Sequence, residues 1–247
     1  MSEFLHSPAV QVSAVLFLAT VIRSALGFGE ALIAVPLLAL VIPVEVAAPV
    51  AVLVSITVAA VAVAQDWRHV HLRSAGWLVL STFAGIPLGL WLLKVAAESV
   101  VKTVLAAVII LFALYVLVRR THHELKHDRY AWAFGFLAGV LGGAYGMNGP
   151  PLAVYGSMRR WSPEHFRATL QGYFLPASMV GMFGYWLSGL WTPTVSRFYL
   201  IALPSTLVAI FAGRLLNRRL PASQFLRIVH VGLLIIGTVL LVQAWWK

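Results

Sequence analysis

Two stretches of this chain are too long and too interrupted to be ordinary apolar helices. Residues 9–42 are apolar almost throughout, yet Gly27-Phe28-Gly29-Glu30 stands in their middle. Residues 131–158 repeat the pattern around Gly142-Gly143-Ala144-Tyr145-Gly146-Met147-Asn148-Gly149-Pro150-Pro151. Glycine reaches φ > 0 without a Cβ penalty and proline has no N–H, so both tracts predict an unwound helix. Each stretch then becomes two shorter helices meeting at a break. Six further apolar runs, about 46–64, 75–93, 100–118, 165–187, 198–216 and 223–245, are uninterrupted. Each has the roughly 20 residues that cross about 30 Å of hydrocarbon.

Composition agrees with a bilayer as solvent. Of the 247 residues, 61% are hydrophobic and 11% charged, against about a quarter charged in a soluble domain. Glu3 and His6 stand where a secretory leader has a basic region, so the first apolar run is expected to stay as a membrane segment. The absence of cysteine excludes disulfides, thiolate zinc and thiol chemistry. The net charge of +10 comes from cations at segment ends and in loops. That placement fits topology and anionic headgroups and argues against nucleic acid. His122, His123 and His127 include a metal-compatible spacing, but a charged, solvated linker is the better reading. No metal, cofactor or enzymatic nucleophile is expected; Ser188-Gly189 has no histidine to serve it.

The chain also resembles itself. Leu26-Gly27-Phe28-Gly29 overlays Gly143-Ala144-Tyr145-Gly146, and Pro43-Val44-Glu45 overlays Ser162-Pro163-Glu164. Two repeats follow, 1–119 and 130–247, joined by a charged cytoplasmic linker at 120–129. Loop charge decides their relative orientation. If each broken region crosses once, the 17 loop cations divide 8 against 9 between the faces. If each goes in and returns, 13 share one face, while Lys94, Lys102, Arg197 and Lys247 are the 4 on the other. The positive-inside rule prefers the second arrangement, with both termini outside. The expected fold is an all-α membrane protein of two inverted repeats, each a broken helical hairpin followed by three transmembrane helices.

A helix that starts inside the membrane exposes unpaired N–H groups and the positive end of its dipole, where an anion can dock. Gly27, Phe28, Gly29 and Glu30 at the first break, and Tyr145, Gly146, Met147, Asn148 and Gly149 at the second, are the candidate binding residues. Inverted halves with discontinuous helices are a recurring transporter plan, with the site between them. Glu30 is the one acidic residue well inside an apolar run; it either exchanges a proton coupled to transport or pairs with Arg23. Arg23 either attracts the anion or anchors its helix by snorkelling. Arg167 and Gln171 share a helix face with Ser178, beside Thr169 and Tyr173. Ser55 and Thr57 offer polar groups on the equivalent helix. Gly85/Gly89 and Gly135/Gly139 read instead as close helix packing.

These residues carry a family resemblance. Gly27-Phe28-Gly29-Glu30-Ala31 with Pro36, and the Gly142–Pro151 tract, resemble the sulfite exporter TauE/SafE family over nearly the whole chain. Glu30 stands where that family often has glycine. The resemblance implies bacterial or archaeal inner-membrane transport of a small anion such as sulfite or sulfoacetate, without an ATP-hydrolysing subunit. Proton coupling and a homodimer are compatible with it. A channel-like or regulatory membrane protein is the alternative.

Overall fold

The computed structural model describes residues 7–66, 72–118, 125, 128–217 and 222–245. Their regular structure is helical throughout. The first half contains α1 (Pro8–Leu26), α2 (Glu30–Leu38), α3 (Val44–Asp66), α4 (Leu72–Val95) and α5 (Glu98–Val118). After a 3₁₀ turn at Asp128–Tyr130, the second half contains α6 (Ala131–Tyr145), α7 (Gly149–Met158), α8 (Pro163–Leu187), α9 (Pro193–Asn217) and α10 (Ala222–Trp245).

Both interrupted stretches break as expected, over three residues each. Gly27 (φ 89°) ends α1 and Gly146 (φ 66°) ends α6, both left-handed. Their amides fold back onto the carbonyls of Arg23 and Gly142. A left-handed residue closing a helix is the usual reason for glycine at that place. The overlay of the two halves needs correction, however. Gly27, not Gly29, is the counterpart of Gly146, and Gly29 corresponds to Asn148 before the next helix. The sequence match at the breaks is therefore two residues out of register, while that of Pro43-Val44-Glu45 with Ser162-Pro163-Glu164 agrees with the structure.

Among the described residues, five helices are long and apolar enough to cross a membrane: Pro8–Ala25, Val44–Ala64, Gly76–Val95, Glu98–Val118 and Pro193–Leu216. The first is a difference from expectation. α1 has 19 residues, about 28 Å at 1.5 Å per residue, and is no half-helix. α8 reaches 25 residues but is more polar, and α10 contributes the apolar stretch Val229–Trp245. Trp77, Trp91, Trp132, Trp186, Trp191 and Trp245 are all exposed and lie near helix ends. That is where indole rings sit at a membrane interface.

Helix packing relates the halves. Gly85 and Gly89 of α4 lie against the backbone of Phe136–Ala144, while Gly135 and Gly139 of α6 lie against Leu78, Ser81, Thr82 and Gly85. A Cβ at any of the four would collide with its neighbours, so small residues set this seam, as their spacing indicated. The contacts advance together along both helices, which makes α4 and α6 parallel. Interchanging α1–α5 with α6–α10 turns this seam into α9 on α1, where Gly213 meets Val21 and Ser24. It likewise turns α3 on α9 into α8 on α4, and leaves α3 on α8 and α5 on α10 unchanged. α5 and α10 run antiparallel: Thr103 meets Trp245, Ile109 meets Gly237, and Phe112 meets His230.

Candidate functional site

The short helices α2 and α7 touch one another within the bundle. Phe28 brings the breaks together: its ring lies beside Gly149, close enough that a Cβ there would be 3.7 Å away. It also packs edge-on to Phe166 of α8 at 5.6 Å. Both helix starts lack a side-chain cap. At α2 the first intrahelical bond is Ile33 N–H to Gly29 C=O, which leaves the amides of Gly29, Glu30, Ala31 and Leu32 as the orphan donors of that helix start. At α7, Pro150 and Pro151 have no N–H, so the donors narrow to Asn148 and Gly149.

The first break carries charge. Arg23 and Glu30 are the charged side chains among the buried polar residues described; they are 7% and 2% exposed. The Arg23 guanidinium donates to the Glu30 carboxylate and to Ser55 Oγ on α3 at 2.6 Å. It also lies 5.0 Å over the Phe174 ring of α8, an arrangement that favours a desolvated cation. The Thr20 hydroxyl donates to the other Glu30 oxygen at 3.1 Å. Ser178 on α8 reaches Ser55 Oγ at 3.5 Å. An ion pair this deep holds only because each charge also has neutral partners.

The second break is neutral. The Asn148 amide donates to the Tyr173 hydroxyl at 3.2 Å. That hydroxyl is 2.7 Å from Thr82 Oγ1 on α4, and Thr82 also reaches the Gly135 carbonyl at 2.9 Å. Three helices are thus tied to the start of α7 by one chain of hydroxyls. Tyr185 of α8 adds a bond to the Gly142 carbonyl at 3.2 Å.

Both breaks open onto one cavity of about 20 Å³, lined by Arg23, Phe28–Leu32, Ser55, Gly146–Pro150 and Phe174. By the measure in which about 10–15 Å³ holds one water, the room is for a water or little more. Of the candidate residues, Arg23, Phe28, Gly29, Glu30, Gly146, Met147, Asn148 and Gly149 line it. Gly27 shapes the turn without lining it. Tyr145 belongs elsewhere: its hydroxyl donates to the Val101 carbonyl of α5 at 2.9 Å, away from the cavity. The Arg167 and Gln171 side chains lie outside the described residues, as do those of Arg68 and His122, His123 and His127. Sequence reasoning missed Thr20, Thr82, Phe174 and His230. Hydroxyl and aromatic residues on apolar helices give no local signal of where they point.

Among the described residues, five helices long and apolar enough to cross a membrane, with large apolar side chains exposed on their flanks, indicate a multi-pass membrane protein. The comparison with known families makes this specific. The family described as sulfite exporter TauE/SafE matches residues 12–240, and the chain belongs to it. No curated protein and no solved structure matches the chain.

Proposed function

We propose that this protein is a secondary transporter of a small oxyanion, sulfite or an organosulfonate, working by alternating access. The observation that carries this reading is the meeting of both breaks around one cavity that holds Arg23. Four amides at the start of α2, two at the start of α7 and a guanidinium offer hydrogen bonds to oxygens arranged around a sulfur, where there is room for little water. Arg23 is a binding residue in this reading, and Asn148 recognises the substrate without adding charge. Arg167 and Gln171 stay candidate binding residues on the strength of the sequence alone.

The cavity's size supports a carrier. Sulfite has four heavy atoms and an organosulfonate more, so about 20 Å³ is too small to admit either without movement. Opening requires α2 and α7 to separate toward one face at a time, which rocking of one half against the other accomplishes. The 13-against-4 division of loop cations and the antiparallel pairing of α5 with α10 support halves of opposite orientation in the membrane. In this reading the linker is cytoplasmic and both termini lie outside, in a bacterial or archaeal inner membrane. A reporter fused at Lys247 that proved cytoplasmic would overturn that topology.

Export is the direction we favour, in keeping with the family's description as a sulfite exporter. Counterflow of labelled sulfite in proteoliposomes tests the transport reading. A carrier gives a saturable overshoot when the vesicles are preloaded with unlabelled sulfite. Flux that rises linearly with concentration and shows no overshoot makes the protein a channel.

A further inference from the structure

Resting on that transport reading, we propose that the substrate anion and the Glu30 carboxylate compete for Arg23, and that each anion is carried with one proton taken up by the displaced Glu30.

The geometry gives Arg23 two kinds of partner. Ser55 on α3 accepts from it through both its hydroxyl and, at 3.4 Å, its carbonyl, and the Phe174 ring on α8 lies under it. These contacts are neutral and hold the guanidinium in place whatever Glu30 does. Among the described residues, Glu30 is its one counter-charge. Glu30 is also the first residue of α2, so its carboxylate leaves from the helix start whose amides an arriving oxyanion would use. Substrate and carboxylate are therefore directed to the same cation from the same side.

Two anions on one cation in a water-poor site are not sustainable as such. No second cation among the described residues lines the cavity. Among the described residues, the elements packed around Glu30 offer no substitute. α1 contributes Arg23 and Thr20, α3 Ser55, and α7 Asn148. α8 contributes Phe174, with the Tyr173 phenol bonded to Asn148 and Thr82. α10 brings His230, which lines a separate small cavity behind Phe28 and Gly29. The charge is balanced if Glu30 takes a proton from water as the anion takes Arg23. No bond other than O–H forms. When the anion leaves, Arg23 recaptures the carboxylate and the proton goes out on the same side.

The net charge of the site is then zero in both states: Arg23 with ionised Glu30 when empty, Arg23 with neutral Glu30 and the anion when loaded. A conformational change in hydrocarbon moves no unbalanced charge either way, which is what the high cost of a lone intramembrane charge demands.

Methanesulfonate is the suitable probe, because it is the anion of a strong acid and brings no proton of its own. Its equilibrium binding to the purified wild-type protein is measured as a function of pH, alongside proton movement during its uptake into proteoliposomes. Competition predicts that affinity rises about tenfold per unit fall in pH, the linkage of one proton. It also predicts about one proton moved per anion. In Glu30→Gln, the binding becomes independent of pH and the proton-to-anion ratio falls to zero at whatever turnover remains. Wild-type binding with the same affinity at every pH, or uptake without protons, overturns the coupling and leaves the transport reading intact. A wild-type protein that neither binds nor exchanges any sulfonate or sulfite overturns both.

Discussion

The two breaks share a backbone plan and differ in chemistry. Each is three residues long, opens with a left-handed glycine and ends at an uncapped helix start. The first then spends a buried ion pair, and the second spends only hydroxyls and an amide. Corresponding positions show the divergence directly: Gly29 faces Asn148 in the overlay, and Glu30 faces Gly149. A duplicated fold preserves what the backbone needs at both places. It leaves one break free to carry charge and the other to recognise neutral geometry.

Removing one partner from each break should expose this difference. Arg23→Gln leaves Glu30 buried without its cation, and thermal unfolding in detergent should show a loss of about 3–5 kcal/mol. The double substitution Arg23→Gln with Glu30→Gln should recover more than half of that loss. If the double variant is no more stable than the single one, the first break is not an ion-pair site. At the second break, Tyr173→Phe removes the hydroxyl shared by Asn148 and Thr82. The expected cost is about 1–3 kcal/mol, that of leaving buried polar groups short of a partner. A cost equal to that of Arg23→Gln would erase the contrast.

The smallest effects concern the shared plan. Gly29→Ala meets open space, with no atom within 4 Å of the added Cβ, but φ is +98°. Left-handed strain alone predicts about 1–2 kcal/mol. Gly146→Ala is left-handed too, at φ +66°, and places its Cβ 2.7 Å from the Val52 side chain; if that contact outweighs the backbone difference, it unfolds at a lower temperature than Gly29→Ala. The reverse order would mean that the two turns are not under equivalent constraint.

Much of the plan was legible because glycine and proline act locally. Gly27 and Gly146 announce positive φ, Pro150-Pro151 fits only a helix start, and Gly85/Gly89 with Gly135/Gly139 mark a close seam. The register at the breaks was not legible from their glycines, for a physical reason, although Pro43 over Ser162 had it right. The second break uses Asn148, in right-handed conformation at φ −76°, where the first uses left-handed Gly29. Matching glycine to glycine therefore slipped by two. The length of α1 was misread because the Gly-rich break lies past a full span and not at its middle. Tyr145 was assigned to the site by proximity in sequence, but its side chain points to α5. Partners such as Thr82 and Phe174 come from α4 and α8, and nothing near the breaks in sequence specifies which hydroxyl or ring will arrive there. The Arg23–Glu30 pair was legible as one of two readings, and the geometry provides the contact for it.

The central claim is that the anion sits between the two breaks, touching both. The cysteine-free chain allows a direct measurement. Ala31→Cys places a thiol at the start of α2, and Met147→Cys places one in the second break; both positions line the cavity. The rate of alkylation by N-ethylmaleimide is followed with and without methanesulfonate. The account predicts that methanesulfonate slows alkylation at both positions, and leaves unchanged the rate at a control, Ser188→Cys, beyond the end of α8. Protection at neither position, or at one break alone, would contradict it.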